Sequence, residues 1–225
     1  MPQIKDSLYE QLNPLTTVAG QHFVEDFSGN TLDTFRWGVA TDTGGSVSMG
    51  DEINGGVALT TTTAAYSRSG IGWCPDHTGT DQYMTPLHYS QTGSVIHVIT
   101  RVAGSTSYAN ASGFGFMEKF SDGSGRNTAC MMLGAVAYFR LRTCNSSGTQ
   151  TSPDTDVSTA DRFTNHLWTT ECRATSVDLS CNGVFKVTST TNLPSSGLAP
   201  CCGVQNSNAG AVTTNYVTYI EAYNT

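Results

Sequence analysis

From His22 onward, apolar and polar positions alternate along the chain. Val95, His97, Ile99 and Arg101 oppose Ile96, Val98 and Val102, the period-two pattern of a strand whose side chains point to two faces in turn. Between Asn215 and Tyr223 the same pattern sets Tyr216, Thr218, Ile220 and Ala222 against Val217, Tyr219, Glu221 and Tyr223. It predicts strands over 22–27, 35–41, 45–49, 56–62, 68–74, 94–103, 111–120, 126–133, 135–143, 166–173, 177–181, 184–190, 201–206 and 215–223. Turn signals separate these runs: Thr43-Gly44-Gly45, Asn54-Gly55-Gly56, Asp122-Gly123, Asn145-Ser146-Ser147-Gly148 and Asn182-Gly183. So many short strands in one block imply an all-β fold, a two-sheet antiparallel sandwich. The stretch 145–161 reads as one polar loop, and no internal repeat or linker divides the domain.

Residues 1–22 form a separate segment. Ile4, Leu8, Leu12 and Leu15 recur near a helical period, Asp6 and Ser7 are candidate caps, and Pro14 ends any helix. The expectation is a short N-terminal arm over 1–22, with those four residues as assembly contacts, followed by one domain over 23–225.

Composition narrows the class. The chain of 225 residues holds 33 Thr and 23 Ser, a quarter of its length, while only 13% of residues are charged, about half the usual share. That argues against a helical bundle, whose surface draws on Glu, Lys and Arg. The 21 aromatic residues, Trp, Tyr and Phe together, argue against disorder. Net charge is −7, and Lys occurs only at Lys5, Lys119 and Lys186. No basic stripe is available for nucleic acid or for an anionic membrane. The first residues lack a positive region followed by an apolar one, and no stretch approaches 18 apolar residues. The sequence therefore points to folding in a cytosol, yet its hydroxyl-rich surface is of the kind exported β-proteins carry. Virion proteins satisfy both conditions.

Seven cysteines, Cys74, Cys130, Cys144, Cys172, Cys181, Cys201 and Cys202, leave at least one thiol unpaired within the chain. Most fall in strand-like runs and read as small buried hydrophobes. Cys172 and Cys181 flank a predicted hairpin and are a candidate disulfide. No metal centre or cofactor is expected: Cys74-x-x-His77 is a weak zinc spacing, and Asp154 with Asp156 lacks a third calcium ligand.

Phe23-Val24-Glu25-Asp26-Phe27-Ser28-Gly29, Leu32-Asp33 and Arg36-Trp37 resemble the opening of concanavalin A-like jelly-roll domains. His166-Leu167-Trp168, Val177-Asp178-Leu179, Asn182-Gly183, Asn192-Leu193-Pro194 and the run Tyr216–Tyr223 resemble their closing strands. The likeness spans roughly 23–225 and implies a jelly-roll sandwich. On their own chemistry, Phe27 and Trp37 suit its core, and Asp33 and Arg36 are a candidate local ion pair. Fold alone leaves function open, since these domains serve as hydrolases, lyases, lectins and structural modules. The laminarinase-like members place E-x-D-x-x-E on one strand, and no such array exists here. The alginate-lyase-like members use an Arg, a Gln-x-His and a Tyr. Val95-Ile96-His97 lacks the Gln, although His97, Arg101, Tyr138 and Arg140 are candidates to share a face.

The sequence therefore favours a non-enzymatic virion structural protein, a phage capsid decoration (cement) protein that bridges capsid subunits. Its partners would be the major capsid protein, other virion subunits and further copies of itself, a trimer suiting shell symmetry. It would be assembled in the host cytoplasm. The second reading is a lectin-like adhesion module or virion appendage that binds a surface glycan through the 70–90 segment. Trp73, Asp76, Tyr83 and His88 supply the aromatic platforms and polar groups there. A polysaccharide lyase or hydrolase is the third.

Overall fold

The computed structural model describes residues 22–34, 37–49, 55–73, 89, 92–104, 110–117, 127–133, 137–195, 198–206 and 212–225. The first strands in chain order are β1 (His22–Glu25), β2 (Trp37–Asp42), β3 (Ser46–Met49), β4 (Val57–Thr60), β5 (Arg68–Trp73) and β6 (Ser94–Gly104). Then come β7 (Asn110–Met117), β8 (Thr128–Leu133), β9 (Tyr138–Cys144), β10 (Gln150–Thr151) and β11 (Asp154–Ser158). A 3₁₀ turn at Thr159–Phe163 leads to β12 (His166–Cys172), β13 (Val177–Cys181), β14 (Val184–Ser189), β15 (Ala199–Asn206) and β16 (Thr213–Asn224).

These strands build two antiparallel sheets of eight. Sheet A runs β14-β13-β12-β6-β16-β4-β3, with β1 also on β16. Sheet B runs β10-β9-β8-β7-β15-β5-β2, with β11 also on β9. The all-β jelly-roll sandwich expected from the alternation is the fold observed. The core lies between the sheets. Ile96, Val98 and Val102 of β6 face Phe114 and Phe116 of β7, Met131 of β8 and Phe139 and Leu141 of β9 within one buried cluster. Phe23, Phe27 and Trp37 pack at one end, with ring centroids 5.6 Å apart in the two pairs that share Trp37. Burying a side chain such as Phe27 contributes roughly 1.5–3 kcal/mol.

Polar ties also cross the core. The Ser112 hydroxyl donates to Asn215 Oδ1 at 3.0 Å, and Asn215 Nδ2 donates to the Gly203 carbonyl at 2.9 Å, joining β16 to sheet B. Thr143 and Ser189 hydroxyls meet at 2.8 Å between β9 and β14.

Two local features differ from the sequence reading. First, β16 changes register between Val217 and Tyr219. The extra residue of this bulge switches the facing of the strand. Val217, Ile220 and Ala222 are core residues, so Tyr216 shares the outer face with Tyr219, Glu221 and Tyr223 and does not side with Ile220. Second, the stretch 145–161 is more than a loop, for β10 and β11 lie in it and the 3₁₀ turn begins there. They are short, polar edge strands, which carry little apolar alternation.

Candidate functional site

Either outer sheet face can hold chemistry. On sheet B, cross-strand register places Gly38, Gly72, Cys201, Gly115, Cys130 and Arg142 in one row. The next row is Ala40, Gly70, Gly203, Gly113, Met132, Arg140 and Asp154. The central strands thus place glycine and cysteine along this face, where Gly70, Gly72, Cys201, Gly203, Gly113, Gly115 and Cys130 are all buried, and the Met117 side chain lies over Gly113. Gly115 has φ +149°, in the region that favours glycine.

Beside this strip stands β9. Phe139 and Leu141 point into the core, so Tyr138, Arg140 and Arg142 share the outer face, successive members about 6.6 Å apart. Tyr138 is 45% exposed. Arg140 donates from Nε at 2.9 Å and from Nη2 at 2.7 Å to Asp154 Oδ1 on β11. Arg142 donates from Nη2 to Gln150 Oε1 on β10 and from Nη1 to the Met132 sulfur at 3.4 Å. Arg68 lies on the same face, opposite Asp42 of β2, because Ser69 turns inward to the Ser46 and Thr60 carbonyls at 2.8 Å.

Cys130, beside Arg142, is fully buried. Burial pushes its thiol up to about 12, against a smaller downward pull from Arg142. Burial likewise raises Cys144, Cys172, Cys181, Cys201 and Cys202. These thiols are small core residues rather than nucleophiles.

The outer face of sheet A holds a second titratable group. His22 Nε2 donates to Glu221 Oε1 at 2.7 Å, and the Tyr219 hydroxyl donates to Glu221 Oε2 at 2.9 Å. Burial pushes the Glu221 carboxyl up, but the hydrogen bonds from His22 and Tyr219 outweigh it, and the net shift is downward. Burial and then the Glu221 hydrogen bond raise Tyr219 to about 12. His97 lies 2.8 Å from the Thr169 hydroxyl and 3.3 Å from the Tyr223 hydroxyl. Every member of this group has a partner within it, which suits a network that ties β1, β16, β6 and β12 together.

The structure sorts the residues singled out in the sequence. His97 and Arg101 are on β6 of sheet A, whereas Tyr138 and Arg140 are on β9 of sheet B, so the four do not share a face. Cys172 and Cys181 do not form a disulfide. Register pairs Cys172 with Val177 and Cys181 with Trp168, at opposite ends of the hairpin, and both thiols are free. Asp154 and Asp156 are not a paired cation site, since Arg140 holds the first and Lys186 the second, at 2.7 and 3.0 Å. Trp73 ends β5 opposite Trp37. Asp76, Tyr83 and His88 lie outside the described residues, as do Ile4, Leu8, Leu12, Leu15 and Arg36. The sequence reading missed Arg142, Gln150 and the partnership of Arg140 with Asp154. The signal for the arginines was the Tyr138-x-Arg140-x-Arg142 alternation. The partners had none, because they sit in the supposed loop.

No family model matches the chain, and no curated protein matches it. Solved structures do share its fold. A β-glucanase from Bacillus licheniformis is 14% identical, covers 93% of this chain and 100% of its own, and superposes with a TM-score of 0.58. A glycoside hydrolase family 16 endo-glucanase from Bacteroides ovatus is 13% identical, with 88% and 98% covered and a TM-score of 0.59. An alginate lyase of polysaccharide lyase family 7 is 12% identical, with 86% and 96% covered and a TM-score of 0.57. These neighbours are carbohydrate-active enzymes, and they overturn the expectation of a non-enzymatic capsid decoration protein.

Proposed function

We propose that the chain is a carbohydrate-active enzyme that cleaves a uronate-containing polysaccharide by β-elimination on the outer face of sheet B. The observation that carries this reading is the line of Tyr138, Arg140 and Arg142 on one face of β9, with Tyr138 exposed and Arg140 partly so. The fold neighbours support an enzyme of this general class.

Retaining and inverting hydrolysis both call for two carboxyl groups roughly 5–9.5 Å apart across the scissile bond. Among the described residues on this face, the carboxylates are Asp42 on β2 and Asp154 and Asp156 on β11. Arg140 and Lys186 hold the two on β11, and six strand-to-strand steps separate these from Asp42, on the order of 25–30 Å. They do not flank one bond.

Elimination asks for different groups. A base removes the proton on the carbon next to the uronate carboxylate. The electron pair forms a C=C bond, the glycosidic C–O bond at the β position breaks, and the leaving oxygen takes up a proton. No co-reactant is consumed. Cationic donors on the carboxylate stabilise the charge that develops as the proton leaves. Arg140 and Arg142 fill that role, and Tyr138 moves the proton.

Incubation with polygalacturonate, alginate and a neutral β-glucan tests the proposal. The expected result is ultraviolet absorbance from an unsaturated product with a polyuronate alone, lost in Tyr138→Phe and falling about 10²-fold in Arg140→Gln. Saturated products from the neutral glucan, with Tyr138→Phe fully active, would overturn it.

A further inference from the structure

Both arginines of β9 are held by side chains from one short segment. Asp154 of β11 engages Arg140, and Gln150 of β10 engages Arg142. The segment is itself anchored. Asn145 Nδ2 donates to Asn192 Oδ1 at 3.2 Å, Asn192 Nδ2 donates to the Thr151 hydroxyl at 2.8 Å, and Thr151 and Thr191 hydroxyls meet at 3.0 Å. The Leu141 amide donates to the Pro153 carbonyl at 3.0 Å between its two strands.

The Arg140–Asp154 pair is poorly placed to serve stability. The side chains are 28% and 46% exposed, and ion pairs at such exposure contribute little. Its geometry is nonetheless restrictive. Nε and Nη2 both donate to a single oxygen, Oδ1, which fixes the guanidinium plane. A guanidinium carries five N–H donors, and among the described residues the two on Arg140 Nη1 make no hydrogen bond.

We infer that β10–β11 is an arginine-orienting clasp, and that Asp154 is a positioning residue that presents the Nη1 edge of Arg140 to the acidic group of the substrate. The inference rests on the proposed polyuronate cleavage. Asp154 acts through Arg140 alone: it touches no reacting atom, and its loss loosens substrate capture more than it slows the chemical step. A side chain that must be re-ordered at each encounter weakens binding, so the effect falls chiefly on KM.

The test compares wild type with Asp154→Ala, Asp154→Glu and Arg140→Gln. Steady-state kinetics on polygalacturonate are read beside retardation in gels cast with polygalacturonate, with alginate or with neutral β-glucan. Asp154→Ala is expected to raise KM about tenfold with kcat within about twofold, and to lose most of its retardation in the polygalacturonate gel. Asp154→Glu recovers at least half of both, which a merely structural residue would not do, and the thermal midpoint stays at the wild-type value. Wild-type KM and retardation in Asp154→Ala, with wild type active, overturn the clasp alone. A wild-type protein that neither cleaves nor is retarded by polygalacturonate or alginate overturns the reading of function, and the clasp with it.

Discussion

A Cβ built on Gly115 of β7 stands 2.7 Å from the Cys130 Cα of β8 and 2.8 Å from the Ala129 carbonyl oxygen. Nothing larger than hydrogen fits there without moving backbone, and φ of +149° adds strain for any L side chain. Gly115→Ala is expected to destabilise the fold by about 2–4 kcal/mol, read as a lowered urea midpoint. Gly148 also has a positive φ but nothing within 4 Å, so Gly148→Ala should cost only about 1 kcal/mol. Equal losses at the two positions would show that φ alone matters and the close strand approach does not.

The Glu221 network predicts an acid-side dependence of stability. Its folded carboxyl sits below its ordinary value of 4.5. A depressed carboxyl stabilises the folded state above its unfolded value and loses that contribution as pH falls through the folded one. The Glu221 contribution is therefore complete above about pH 5 and drains away below 4.5. The group is partly exposed, so the loss is about 1 kcal/mol or less. Thermal midpoints of wild type and Glu221→Gln, taken from pH 7 to pH 3, should converge as pH falls. Parallel curves would remove Glu221 as the source.

The six described cysteines are expected to resist modification in the folded protein. Cys130 and Cys172 are raised to about 12 by burial, so only ~10⁻⁵ of each is thiolate near pH 7. Peptide mapping after iodoacetamide treatment should find Cys130, Cys144, Cys172, Cys181, Cys201 and Cys202 unlabelled in buffer and labelled in urea. Reductant should leave the thermal midpoint where it was. A midpoint that drops on reduction would mean that a disulfide carries stability.

The core strands were legible because each buries one face and leaves the other polar. β6, β12 and β13 lie almost where alternation placed them, with Ile96, Val98, Leu179 and Cys181 inward. The tie at Asn215 was not legible. A buried amide between two sheets looks in sequence like any polar strand residue, and only its bonds to Ser112 and Gly203 reveal it. The facing of Tyr216 was misread because a one-residue bulge leaves no mark in composition. The candidate site was half legible. Tyr138, Arg140 and Arg142 alternate visibly, but the cross-strand row of Gly38, Gly72 and Gly115 is assembled from three separated strands that no local pattern joins. The segment 145–161 failed as a prediction for the reason that makes it useful: its strands are held by polar side chains, so no apolar period announces them.

β16 is shared unequally. β6 lines one of its edges, while the other is divided between β4, at Thr214–Val217, and β1, at Ile220–Tyr223. His22 stands opposite Tyr223, so the point where the chain enters the sandwich and the point where it leaves are neighbours in one antiparallel ladder. A pulling force on these two points loads the β1–β16 rungs one after another from that end. Peeled in this way, β1 comes off like a zipper, and the rest of sheet A, which β6 and β12 hold on the far side of β16, bears none of the first load.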